Sequence, residues 1–158
     1  MPDAAGTRVM SKLRVLFLCT GNSCRSQMAE AWARHLKGEL LDASSAGTHP
    51  KGLDPLAVQV MADVGIDISA QEPKSLDAVA HLPFDYVVTV CDDAHEACPV
   101  FPGRAGMIHR GFDDPPRLAA AAKSREEAMG QYARVRDEIK AFIEQLPEAL
   151  LTERGEHT

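Results

Sequence analysis

The mostly apolar run Leu13-Arg14-Val15-Leu16-Phe17-Leu18 leads without a glycine or proline into Cys19-Thr20-Gly21-Asn22-Ser23-Cys24-Arg25-Ser26. A run of this kind predicts a buried strand, because no turn residue or sustained polar alternation interrupts it. Past the small-residue loop, Ser26-Gln27-Met28-Ala29-Glu30-Ala31-Trp32-Ala33 predicts a helix. Strand, tight loop and helix together aim backbone N–H groups and the positive end of a helix dipole at one point. That point holds Cys19, with Arg25 six positions on. Such a cradle suits a tetrahedral oxyanion, whose oxygens the amides and a bidentate guanidinium can share. The same field favours a thiolate at Cys19, a nucleophile facing the bound anion. A bare Cys-x5-Arg is common; its placement between a buried strand and a helix, with Gly21 and Asn22 in the loop, is what makes it specific.

The chain has 158 residues, enough for one domain with a full core. A net charge of −6 with dispersed basic residues leaves no nucleic-acid footprint, so anion binding must be local to the loop. The apolar run before Cys19 is too short for a membrane span and lacks a small-residue cleavage site. Neither nucleic acid nor membrane is expected as a partner, and the cytoplasm is the expected location. There, four cysteines point to catalysis or metal binding rather than a disulfide frame.

Along the chain, residues 1–11 and 152–158 read as disordered tails around one domain, 12–151. A helix is expected from about Ser26 to Lys37, with Met28, Ala31, Trp32 and His35 on one face. Leu40–Ser45 reads as a second strand, ended by Ala46-Gly47. Asp54-Pro55 caps a helix carrying Val58, Met61 and Ala62 and stopping at Gly65. Ile66–Ser69 is expected to be extended and 75–79 a turn or two of helix. Phe84–Val90, ending in Cys91, is a third strand, and Ala105–His109 a fourth. Asp113-Asp114-Pro115-Pro116 reads as loop, since prolines cannot sit inside a helix. Ser124-Arg125-Glu126-Glu127 is a capping box opening a helix with the stripe Met129, Tyr132, Val135, Ile139, Phe142 and Leu146. This order predicts an α/β domain: a four-stranded parallel sheet with helices on both faces. Ligands sit at the carboxyl ends of such strands, so Cys19 and Cys91 are expected to meet at one site.

Cys24 reads as a small buried hydrophobe rather than a redox group. Cys91 and Cys98 allow two readings. Zinc would take Cys19, Cys24, Cys91 and Cys98, with His95 as a further ligand, although structural zinc ligands usually come closer in sequence. In a thiol relay, residues 92–98 as a helix would hold the two cysteines about 10 Å apart along the axis. A disulfide needs Cα atoms within roughly 4.4–6.8 Å, so the segment would have to unwind. Asp92, Asp93, His95, Glu96 and Pro99 make such a helix weak. Asp114 before Pro115 is a turn residue first, and a proton donor only if its loop closes over Cys19. The six histidines show no ligand spacing, and surface or packing roles are expected for each.

The run Cys19 to Glu30, with Ser45-Ala46-Gly47, Cys91, Cys98, Gly111-Phe112-Asp113-Asp114-Pro115 and Arg134-Val135-Arg136-Asp137-Glu138-Ile139, resembles thioredoxin-coupled arsenate reductase over residues 12–146. That family shares the low-molecular-weight protein tyrosine phosphatase fold. The resemblance implies Cys19 as nucleophile on arsenate held by Arg25 and the loop of Thr20, Gly21, Asn22, Ser23 and Cys24. Ser26 would hold the Cys19 thiolate, Asn22 would brace the loop, and Asp114 would act as acid. Cys91 and then Cys98 would relay a disulfide outward to thioredoxin. Phosphate and sulfate would compete with arsenate; no cofactor is implied, and a monomer is expected. Some members bind potassium through residues matching Asn22, Glu30 and Ser45 plus a further acid. The further position here is Lys74, whose ammonium could take the cation's place beside Glu30, so no potassium requirement is expected.

The nearest rival is a tyrosine phosphatase using Cys19, Arg25 and Asp114 alone. Those enzymes usually place aromatic residues after Asp-Pro to grip phosphotyrosine, whereas Pro116-Arg117 follows here. A non-catalytic thiol protein binding zinc or arsenite is the rival of another class.

Overall fold

A computed structural model describes residues 12–92 and 98–151. The expected tails and the acidic stretch 93–97, His95 included, lie outside the described residues.

Four strands, β1 (Leu13–Cys19), β2 (Leu41–Gly47), β3 (Tyr86–Thr89) and β4 (Gly106–His109), form one parallel sheet in the order β2-β1-β3-β4. β1 is central because its apolar residues serve both faces. Val15 and Phe17 join one cluster and Leu16 and Leu18 the other, and all four are fully buried. Each contributes about 1.5–3 kcal/mol by leaving water. The first cluster takes in α1 (Arg25–Lys37), α2 (Pro55–Ala62) and α5 (Arg125–Glu144). The second is closed by the short α3 (Leu76–Val79) with Phe84 and Phe101. Helices therefore cover both faces, as the apolar strands require. No helix of the described residues is long and apolar enough to cross a membrane.

Several boundaries move. β2 continues through Ala46-Gly47, because Gly47 pairs with Cys19 and donates to the Lys74 carbonyl. β3 is confined to Tyr86–Thr89, although Phe84 and Val90 on either side are buried. Pro115 and Pro116 are not loop but the first turn of α4 (Pro115–Ala120), with Asp114 at the N-cap position and no side-chain capping bond. Proline is tolerated there because first-turn N–H groups have no helical partner. His35 leaves the buried face of α1, in which Arg25 through Ala33 are all buried, and Trp32 is core as expected. Val58 is half-buried and Ala62 exposed; Ala57, Val60 and Met61 carry the buried face of α2. In the capping box, Ser124 Oγ accepts from Glu127 N, but the Glu127 carboxylate takes Lys123 N rather than Ser124 N.

The register brings the strand ends to one edge: Cys19 faces Gly47, Leu18 faces Thr89, and Thr89 faces His109. Cys91 lies two residues beyond Thr89.

Candidate functional site

Cys19 is the last residue of β1 and is buried. Its Sγ lies 2.8 Å from Ser26 Oγ and accepts from Asn22 N–H at 3.3 Å. Ser26 Oγ itself accepts from Asn22 Nδ2 at 2.8 Å, which leaves its own hydrogen to point at sulfur. Two donors therefore converge on one nucleophilic atom.

Asn22 organises the loop. Its φ of 48° is a left-handed conformation that asparagine enters more readily than most residues, and its side chain is fully buried. Asn22 Oδ1 accepts from Gln27 Nε2 at 3.1 Å and from Lys74 N at 2.8 Å, and its carbonyl takes Gln27 Nε2 at 2.9 Å. Gln71 Nε2 then holds Gln27 Oε1 at 2.7 Å. Gly47 admits the loop: a Cβ there would stand 2.5 Å from Thr20 O and 2.9 Å from Asn22 N.

Arg25 opens α1 and is buried, its guanidinium donating to Phe112 O at 3.1 Å and lying 3.5 Å from Asp114 Oδ1. The loop before α4 thus closes over the cysteine loop, the condition under which Asp114 has a chemical role. A cavity of about 530 Å³ is bounded by Cys19, Arg25, Asp114, Pro116 and Cys98. The loop residues Thr20, Gly21, Ser23 and Cys24 line it with Pro99, and so do Thr48, His49 and Lys51, which sequence reasoning missed. They run beside the loop because His49 N donates to Thr20 O and Lys51 N to Gly21 O, both at 2.9 Å. A larger hollow of about 740 Å³ lies beyond Glu30, among Arg34, Gln71 and Lys74, and has no cysteine in its wall.

Cys24 is buried and burial pushes its thiol up, with the Asp54 carboxylate adding to the shift, which fits the packing role. Asp54 accepts from Leu56 N, capping α2 as expected, and from Tyr132 Oη at 2.6 Å. Burial and this bond both push the Tyr132 phenol up. Tyr132 was expected only as core; its hydroxyl ties α5 to Asp54, whose backbone N–H in turn donates to Ser23 O of the cysteine loop.

Cys91, fully buried, and Cys98, half-buried, are joined in a disulfide with Cα atoms 5.8 Å apart. His109, expected in a surface or packing role, is exposed, and a ring nitrogen lies within 4.8 Å of both sulfurs. The parallel pairing of β3 and β4 is what delivers it. Cys19 and Cys24 remain free thiols.

Around Glu30, Ser45 Oγ donates to Oε1 at 2.6 Å and Arg34 Nη2 pairs with Oε2 at 2.8 Å. Lys74 Nζ stands 3.9 Å from Oε1. Two cations already face the carboxylate on which a potassium ion would depend, so the residues present do not fit that ion.

A buried cysteine and arginine in a loop between the central strand and a helix N-terminus, with an acid closing over them, define a thiol enzyme for tetrahedral oxyanions. The family model of low molecular weight phosphotyrosine protein phosphatase matches residues 14–156. The arsenate reductase of Halalkalibacterium halodurans is 44% identical over 139 residues, spanning 88% of this chain and 98% of that protein. That of Bacillus subtilis is 46% identical over 134 residues, 85% and 94% respectively. Among solved structures, a thioredoxin-dependent arsenate reductase of Corynebacterium glutamicum superposes with a TM-score of 0.64 at 26% identity, covering 96% of this chain and 68% of that one. The chain belongs to the low molecular weight phosphotyrosine protein phosphatase family, among its arsenate reductases.

Proposed function

We propose that this protein reduces arsenate to arsenite through a three-cysteine relay regenerated by thioredoxin. Arsenate binds to the amides of Thr20–Cys24 and to Arg25, and Lys51 at the cavity wall adds positive charge in an otherwise acidic protein. Cys19 thiolate attacks arsenic; the departing oxygen takes a proton from Asp114 and leaves as water. Cys91 thiolate then attacks Cys19 Sγ. The sulfur–arsenic bond breaks, its electron pair passes to arsenic, As(V) becomes As(III), and arsenite leaves a Cys19–Cys91 disulfide. Cys98 thiolate attacks Cys91, which frees Cys19 and leaves Cys91–Cys98. A thioredoxin dithiol reduces that disulfide by the same chemistry. The observation that carries this reading is the Cys91–Cys98 disulfide, whose Cys98 lines the same cavity as Cys19. The thioredoxin-dependent structural neighbour supports the choice of reductant. A monomer working in the cytoplasm, where a thioredoxin system operates, is part of the same proposal.

The test follows NADPH oxidation with arsenate, thioredoxin and thioredoxin reductase. Wild type turns over; Cys91→Ser and Cys98→Ser each lose turnover. Full activity in Cys98→Ser would remove the last relay step. The phosphatase reading rests on the same Cys19, Arg25 and Asp114, and a weak hydrolysis of aryl phosphates fits it as a side reaction. Wild type that ignores arsenate and hydrolyses aryl phosphates efficiently would make that reading the function.

A further inference from the structure

We propose that, once reduced, Cys91, Cys98 and His109 form a binding site for a thiophilic divalent cation, with zinc the natural occupant. The site stands on geometry alone and not on the arsenate reading. Two sulfurs and one imidazole nitrogen lie within 4.8 Å of one another. With bonds of about 2.0–2.3 Å, the edges of a tetrahedral zinc site are about 3.5–3.8 Å; the two sulfurs, bonded to each other in the disulfide, move apart to that spacing once reduced, and the imidazole nitrogen already lies near both.

Two further features fit a ligand role for His109. Thr89 Oγ1 and His109 Nδ1 are 2.8 Å apart, which fixes the ring as an outer-shell partner fixes a metal-binding histidine. Nε2 then lies over Gly111, where a Cβ would stand 3.1 Å from that nitrogen and 3.0 Å from the Cys91 carbonyl. The glycine of the Gly111-Phe112-Asp113-Asp114 turn is therefore what lets the imidazole sit against Cys91. The exposure of His109 leaves an approach from solvent.

The chemistry balances. A dithiol opens the disulfide by supplying two electrons and two protons; a phosphine supplies the two electrons and leaves as its oxide, water giving the oxygen and the two protons. Zinc displaces the two thiol protons, takes a lone pair from neutral imidazole, and keeps water in its fourth position. Thiolate sulfur selects such soft or borderline ions over magnesium or calcium. If 92–98 were helical, its ends would lie about 10 Å apart, too far for one ion. Zinc therefore binds the form in which the Cys91 and Cys98 Cα atoms stand close, as they do at 5.8 Å in the disulfide, and draws the population toward it, holding both thiols together.

The experiment titrates the full-length protein, reduced with a phosphine and freed of reductant, with zinc chloride against a chromophoric chelator. Cobalt(II) serves as a spectroscopic stand-in. Expected are one zinc per reduced chain, none at matching affinity in the disulfide form, and a thiolate-to-cobalt charge-transfer band. Cys91→Ser and Cys98→Ser lose the site. His109→Ala weakens it by at least about ten-fold. His109→Gln, which retains a polar contact for Thr89, serves if the alanine variant misfolds, and weakens it likewise. Cys19→Ser binds as wild type. Equal binding by the oxidised protein, or undiminished affinity in the His109 variants, overturns the proposal. Loss of binding in Cys19→Ser also overturns it, by placing the ion among three cysteines instead.

Discussion

The two ends of the proposed relay are built in opposite ways. Around Cys19, three buried polar side chains, Asn22, Ser26 and Gln27, bond to one another, to sulfur and to backbone. Each bond closes another's unused donor or acceptor, so no member can turn without stranding a buried partner. Around Cys98 little of this kind is found among the described residues. Its Sγ lies 3.8 Å from the Cys91 carbonyl, and Val100, two positions on, is exposed. The nucleophile needs a fixed geometry against an anion, whereas the outgoing thiol must reach first inward and then outward. The two ends, 79 positions apart in the chain, line one cavity because β1 and β3 are neighbours in the sheet.

The largest effect expected from breaking that contrast comes from Gly47→Ala. The new Cβ would meet two backbone atoms, Thr20 O and Asn22 N, neither of which can yield like a flexible side chain. The loop must shift, and a displacement on the order of an ångström costs about 10²-fold in kcat/KM for arsenate. Reduction of the preformed Cys91–Cys98 disulfide by thioredoxin, followed separately, should keep its rate. Equal losses in both assays would mean that the two ends are not mechanically separate.

Ser26→Ala is milder. It removes the hydroxyl 2.8 Å from Cys19 Sγ and leaves Asn22 Nδ2 without that acceptor. A bond to a charged group contributes about 1.5–3 kcal/mol, so kcat at saturating arsenate should fall roughly ten- to hundred-fold. Ser26→Thr, which keeps the hydroxyl, should recover most of it. An unchanged kcat in the alanine variant would show that Asn22 N–H alone suffices to hold the sulfur.

How much of this was legible follows from where the residues lie in the chain. Cys19 through Ser26 are contiguous, so strand, loop and helix could be read together, and the apolar strands announced a parallel sheet. Asp114 was legible as a candidate but not as a neighbour of Arg25, since 89 positions separate them and only the fold closes the gap. Lys51, His49 and Gln71 gave no local signal at all. They matter because their segments run beside the loop or beneath Gln27. His109 was hidden for the same reason: no spacing from Cys91 or Cys98 marks it, and the β3–β4 register alone places it. The proline pair was misread because a rule about helix interiors was applied to a helix start.

The smallest effect concerns the buried carboxylate of Glu30 behind the loop. Glu30 is almost wholly buried, and a buried carboxylate needs partners that neutralise it. Ser45 supplies a hydrogen bond, Arg34 an ion pair at 2.8 Å, and Lys74 an ammonium at 3.9 Å. Lys74 also donates its backbone N–H to Asn22 Oδ1, so the residue that brings the charge is itself part of the loop's support. A potassium ion would have to enter against two neighbouring cations for a carboxylate that already has an ion pair and a hydrogen bond. Replacing sodium by potassium at constant ionic strength should therefore change kcat/KM by less than about two-fold, and shift Tm by less than the roughly 2–4 °C that 1 kcal/mol produces in a domain of this size. A marked gain in either with potassium would show that Lys74 does not stand in for the cation. The same comparison in Lys74→Gln, which removes the charge but not the backbone donor, isolates the ammonium. If potassium activates this variant but not wild type, the ammonium is what makes the loop independent of a metal ion.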